Sequence, residues 1–213
     1  MEKTGGLGVK IFNTDGAFYK FMIQLMDLLV LNFMWILFSL PIVTVGASTA
    51  AACAVTMKMA KDEESYIGRE FIKQFKRNWK QGTALWILML VVGYAFYLDT
   101  QILKVSSNPS YLVIFMTAGL GFLFVICFGY TFALIARYEN SIKNSILNSV
   151  KITFRYLGRT IAMIFSLALI YAILSFNTVM LVFMPLIGAG CMLYTYGFFC
   201  RGIFEKIELS NQE

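Results

Sequence analysis

The chain of 213 residues contains no histidine, and only 14% of it is charged. Without an imidazole there is no histidine general base, no histidine metal ligand and no histidine switch near neutral pH. An ordinary soluble domain is about 25% charged, so this chain carries roughly half the usual charge. Cysteine is sparse. Cys53, Cys127, Cys191 and Cys200 lie in apolar or near-apolar stretches, and no two are spaced as C-x-x-C. A disulfide framework or zinc site is therefore not expected; the four are read as small buried apolar residues. No Walker-type lysine loop, Gly-x-Ser-x-Gly or His-Glu-x-x-His occurs, and no nucleotide-hydrolysing or hydrolase site is expected. The chain is read as a non-enzyme with no cofactor and no metal.

What fills the sequence is apolar. Hydrophobic residues make up 59% and aromatic residues 16%. About 20 apolar residues cross a bilayer, and several such runs occur. The expectation is an all-α polytopic transmembrane bundle of about six membrane segments in a single membrane domain. No block of 50 or more residues is left for a separate soluble domain. Residues 1–20 form a tail, 21–59 a first helical hairpin, 66–137 an amphipathic helix plus a second hairpin, 139–200 another amphipathic helix plus a third, and 201–213 a second tail. The spans are expected near 21–40, 47–59, 82–98, 111–136, 160–176 and 179–199. The first run is too long for a secretory core and is read as uncleaved.

Local signals place the joints. Pro41 ends the first helix because it cannot continue the hydrogen-bond ladder. Thr44 is expected to cap the next helix. Gly46, Ala50 and Ala54 recur every four residues, a small-residue face expected to pack against the first span. The segment after Pro41 is short enough that it either spans or re-enters. In the first amphipathic stretch Ile67, Phe71, Phe75 and Trp79 recur at four. Arg69, Lys73, Lys76, Arg77 and Lys80 fill other faces, a pattern suited to the membrane interface. The pattern repeats with Ile142, Ile146, Val150 and Phe154 beside Lys143, Lys151, Arg155 and Arg159. An offset of about 79 residues between the two units suggests a parallel repeat.

Charge sets the orientation. The two tails and the 58–80 and 137–159 segments hold 17 of the 18 basic residues, leaving Lys104 alone on the other side. Positive residues stay cytoplasmic, so both termini are expected there, in a multi-pass cell-membrane protein. The net charge of +6 then reflects orientation and contact with membrane lipid. No nucleic-acid partner is indicated. Asp27 is the one charge well inside a span, and such a charge is a functional candidate by default. It is expected to pair with a Lys or Arg of an amphipathic helix or to cap a helix end. Asn32, Ser39, Thr44, Ser48 and Thr49 are expected to satisfy backbone groups freed at Pro41.

Two motifs carry a resemblance. The first is Leu31-Asn32-x-x-Trp35-x-x-x-Ser39-Leu40-Pro41-Ile42-Val43-Thr44-Val45-Gly46-Ala47. The second is Phe71-x-x-x-Phe75-Lys76-Arg77-Asn78-Trp79-Lys80-Gln81. Together they resemble the YesL-like family of bacterial membrane proteins, whose members have no established activity. The family occurs mainly in Gram-positive bacteria, beside binding proteins and permeases of carbohydrate ABC importers. The resemblance implies an accessory membrane subunit that binds importer permease subunits. The Glu-Ala-Ala…Gly coupling loop of permeases is absent, so the chain is not read as the permease itself. A small stand-alone transporter or channel, with Asp27, Asn32 and the Thr44–Thr49 cluster along its path, is the competing expectation. Pro41, Gly46, Asn78 and Trp79 also have scaffold readings, as a turn and as an interfacial anchor.

Overall fold

The computed structural model describes residues 17–60, 66–105, 111–176 and 187–210, and every element in them is helical. Eight α-helices follow in order: α1 Ala17–Ser39, α2 Val45–Met59, α3 Ile67–Val105, α4 Tyr111–Phe128, α5 Thr131–Arg137, α6 Ile142–Arg155, α7 Leu157–Ser175 and α8 Ala189–Ser210. Among the described residues, five segments are long and apolar enough to cross a membrane: Phe18–Ser39, Ile42–Met59, Ile67–Lys104, Tyr111–Arg137 and Leu157–Ser175. The sixth expected span begins at 179, and residues 177–186 lie outside the described residues; its remainder enters α8.

The first hairpin turns as expected. Pro41 leaves the helix at φ −74° and ψ 112°, and a single 3-10 turn, Ile42–Thr44, leads into α2. Thr44 occupies the N-cap position, yet its hydroxyl does not cap α2. It donates backwards, to the carbonyls of Phe38 and Pro41, each at 2.7 Å. The freed C-terminal carbonyls of α1 outcompete the N–H groups of α2 for that hydroxyl.

α2 is the axis of the bundle. Gly46, Ala47, Ser48 and all residues from Ala50 to Met57 are buried, enclosed by α1, α3, α5 and α8. The small-residue face meets α3 rather than the first span. A Cβ on Gly46 would lie 2.2 Å from the carbonyl oxygen of Gly82, and one on Gly82 would lie 2.7 Å from Cα of Ala47. Ala54 faces Gln74 and Arg77 of α3 across a shallow recess. Small side chains let two helix backbones touch, which is how helices gain dispersion energy in lipid. Gly197 of α8 makes the same kind of approach to Thr56.

The first amphipathic stretch is not a separate interfacial helix. Residues 67–105 form one helix of 39 residues, about 58 Å long at 1.5 Å per residue. No proline interrupts it, so nothing in the backbone ends the helix at the expected boundary near Gly82. No charged residue lies between Lys80 and Asp99, a rise of about 28 Å. That matches the roughly 30 Å hydrocarbon core, so the first third of α3 projects beyond it.

The fourth span breaks where none was expected. α4 stops at Phe128, and Gly129 and Tyr130 form a turn before α5. One side chain bridges the break: the Ser149 hydroxyl of α6 donates to the Ile126 carbonyl at 2.9 Å and accepts from the Tyr130 N–H at 3.1 Å. α6 therefore docks on the bundle by Ser145, Ser149, Ile152 and Thr153, all buried. Phe154 of the expected apolar stripe is 59% exposed. Ile142 and Ile146 pack half-buried against the core, so the stripe lies at the edge of the docking face; the deepest part of that face carries Ser149 and Thr153, whose hydroxyls donate to backbone carbonyls. α6 and α7 also separate at Tyr156, at φ −120° and ψ 40°, while α3 runs unbroken. The two units are thus built differently, and the suggested parallel repeat is not reproduced.

Candidate functional site

The two motifs meet at the hairpin. Phe38, inside the first motif, packs between Phe71 and Phe75 of the second, with ring centroids 5.5 and 4.8 Å apart. Trp35 is fixed from both ends: its indole N–H donates to the Thr49 hydroxyl at 3.2 Å, and its carbonyl accepts from Ser48 at 3.0 Å. Asn32 is buried beside Gly190, where a Cβ would come within 3.3 Å of the Asn32 Cβ. Pro41 is exposed and Gly46 is sealed against Gly82. The motif positions named for a path, Thr44 to Thr49, thus direct their side-chain hydrogen bonds at α1.

Asp27 is half-buried on α1 and forms no ion pair with a described residue. No Lys or Arg of an amphipathic helix pairs with it among the described residues. Asp99, at the far end of α3, accepts a hydrogen bond from Thr117 of α4.

The end that collects the basic residues is wired across the chain. Lys58 pairs with Glu70 at 2.6 Å, joining the end of α2 to the start of α3, and Gln74 donates to the same carboxylate at 2.7 Å. Arg77 donates to the carbonyl of Ala136, near the end of α5. Arg201 donates to the carbonyl of Ala60, the C-cap of α2. Arg159 donates to the Gly202 carbonyl of α8 at 2.6 Å. Unpaired carbonyls at a helix C-terminus carry partial negative charge, so two of these arginines close helix ends. Arg137 grips Glu208 with two bonds, at 2.9 and 2.7 Å, and the Tyr138 hydroxyl donates to the same carboxylate at 2.7 Å. Burial first, and then the neighbouring Glu208 charge, pushes the Tyr138 hydroxyl above its ordinary pKa.

In the second motif, Phe75 and Asn78 are buried while Lys76 and Trp79 are exposed. The Asn78 amide donates to the Gln74 carbonyl at 3.0 Å, and Trp79 stands edge-on to Phe75 at 5.5 Å. Lys76, Trp79 and Lys80 border a recess of about 730 Å³ facing the connection between α5 and α6. A second cavity, about 490 Å³ and almost wholly apolar, opens among α1, α3, α4 and α8 beside Trp35, Met89, Phe124, Leu193 and Tyr196. Sequence reasoning missed Gly82, Ser149 and the Arg137–Glu208 pair. Gly82 alone had a readable signal, as a glycine inside a proline-free apolar helix. No group of His, Cys, Asp and Glu suited to a metal occurs among the described residues, and all four cysteines are free.

The helices and their apolar outer faces define a polytopic α-helical membrane protein. Residues 28–100, which contain both motifs, match the family described as "Protein of unknown function, DUF624". The chain is 26% identical over 177 residues to "Uncharacterized protein YesL" of Bacillus subtilis (strain 168), covering 81% of this chain and 84% of that protein. It is 25% identical over 193 residues to "Uncharacterized protein YteU" of the same organism, covering 85% and 83%. The chain is thus similar to YesL and YteU over most of its length, in keeping with the resemblance its two motifs carry. No solved structure matches it.

Proposed function

We propose that the protein is a non-catalytic accessory subunit of a bacterial carbohydrate ABC importer. It sits in the cell membrane with both termini and the basic end in the cytoplasm, and binds permease subunits within the bilayer and at the cytoplasmic face. The YesL-like resemblance suggests the partner. The observation that carries the scaffold reading is the hydrogen bonding inside the first hairpin: Thr44 and Ser48 donate to hairpin carbonyls, and Trp35 pairs with Thr49. Affinity purification in mild detergent tests the reading. Permease subunits should copurify, and deletion should impair sugar uptake. Recovery without permease subunits, with uptake unchanged on deletion, refutes it.

A stand-alone transporter or channel is the second reading. It is favoured by one observation, the half-buried Asp27 that no described residue pairs. Its path would follow Asp27, Asn32 and the Thr44–Thr49 cluster. Liposome flux that persists after Asp27→Ala and Thr44→Val removes that path.

A further inference from the structure

The recess beside the second motif joins two chemistries. Lys76, Arg77 and Lys80 line it together with Trp79, and Glu139 is the acidic residue on the opposite wall. Arg77 is committed to the Ala136 carbonyl. Lys76 and Lys80 are exposed and form no ion pair with a described residue. Three cations against one carboxylate leave the recess positive.

Its depth is set by α3. The charge-free rise from Lys80 to Asp99, about 28 Å, spans the hydrocarbon core, so Lys76 and Lys80 stand at the level of lipid phosphates. Trp79, 49% exposed, sits at the same level, where indoles favour the boundary between apolar and wet surroundings. From Lys80 the same face of α3 continues through Ala84, Ile87 and Val91 at helical spacing. All three are exposed; Ile87 is 49% and Val91 63% accessible. A cationic recess therefore runs directly into an apolar track.

We propose that this recess binds the headgroup of an anionic phospholipid, with its phosphate against Lys76 and Lys80 and an acyl chain along Ala84, Ile87 and Val91. A soluble phosphate would leave the track unused, and an acidic peptide would meet lipid where the track begins. The site stands apart from the importer reading and does not depend on it.

Spin-labelled phosphatidylglycerol and phosphatidylcholine test it, with the full chain reconstituted in phosphatidylcholine vesicles. The wild-type chain should restrict the phosphatidylglycerol label preferentially, and added salt should weaken that preference. K76Q/K80Q should reduce the preference about fivefold or more, since each lysine near a membrane surface contributes about that factor. K143Q/K151Q removes the same charge from exposed lysines of α6 and should change it less than twofold. Lys80→Glu, which leaves two cations against two carboxylates, should abolish the preference if the double variant fails to fold. Equal losses in the two double variants would show a diffuse basic field and overturn the site. So would the absence of any preference in the wild type. Displacement of the label by inorganic phosphate would assign the recess to a soluble anion and overturn the lipid.

Discussion

Replacing Gly46 by alanine should loosen the centre of the bundle. The added Cβ would lie 2.2 Å from the Gly82 carbonyl oxygen and 2.5 Å from Cβ of Trp86, whereas ordinary contact begins near 3.4 Å. Neither obstacle is a flexible tip, so α2 and α3 must separate by about 1 Å. Overpacking a filled core costs roughly 1–3 kcal/mol; a backbone obstacle argues for the upper end. About 3 kcal/mol is a factor of roughly 150 in the folding equilibrium. Gly119→Ala is the matched control. It makes the same chemical change within α4, where a Cβ meets nothing within 4 Å, and a helical glycine gains up to about 1 kcal/mol on becoming alanine. The assay is reversible unfolding by SDS in mixed micelles, followed by circular dichroism. Gly46→Ala should unfold at clearly lower SDS fraction than wild type, and Gly119→Ala at equal or higher. Coincident curves for the two variants would refute the claim that backbone contact at this crossing holds the bundle together. Gly46→Ala/Gly82→Ala should cost less than the sum of the single changes, because the first separation already makes room for the second methyl.

Ser149→Ala should destabilise by about 1–3 kcal/mol in the same assay, because it strands a buried N–H and weakens the hold on a buried carbonyl at the α4–α5 break. Glu208→Gln should cost less than about 1 kcal/mol, since the pair is partly solvated; a larger loss would mean the basic end is drier than its exposure indicates. The Tyr138 contribution has a definite pH sign. Its folded pKa is raised, so its stabilisation is fully present below the ordinary tyrosine value near 10 and is lost as pH rises through the folded value. A Tyr138→Phe variant should show a shallower alkaline loss. A reporter fused near Ser107, outside the described residues, should read as external; a cytoplasmic signal would overturn the proposed orientation.

The sequence made the helices and the polarity of the bundle legible because both follow from local quantities: apolar run length, Pro41 and the position of 17 of 18 basic residues. What it hid depends on partners distant along the chain. Gly46 was recognised as a packing residue, but its partner proved to be Gly82, 36 positions on, because spacing along one helix does not say which neighbour it faces. The stripe through Ile142 and Phe154 has the right period but lies at the edge of the buried face: Ile142 and Ile146 pack half-buried on the core and Phe154 is exposed, while Ser149 and Ile152 go inside. The arginines of the basic end were read as marks of orientation and lipid contact, yet Arg77, Arg137, Arg159 and Arg201 connect helices; only the folded chain brings carbonyls 136 and 60 to them. The candidate site divides the same way. Trp79 and Lys80 were legible as interfacial, whereas the recess that gives them a ligand needs the α5–α6 connection.

The enclosure of α2 has a consequence for how the protein must be made. α2 is short and alanine-rich, and it leaves the ribosome before three of the helices that will surround it, α3, α5 and α8. Until they arrive, its hydroxyls and small side chains face lipid or the insertion machinery with only α1 for cover. α1 and α2 must therefore enter as a pair, held by the Trp35, Thr44 and Ser48 hydrogen bonds. α8, the last of the described helices in chain order, completes the shell. A chain arrested before α8 would expose the Thr56 side of α2 and present quality-control proteases with an unfinished membrane protein, even though most of its spans had already been inserted.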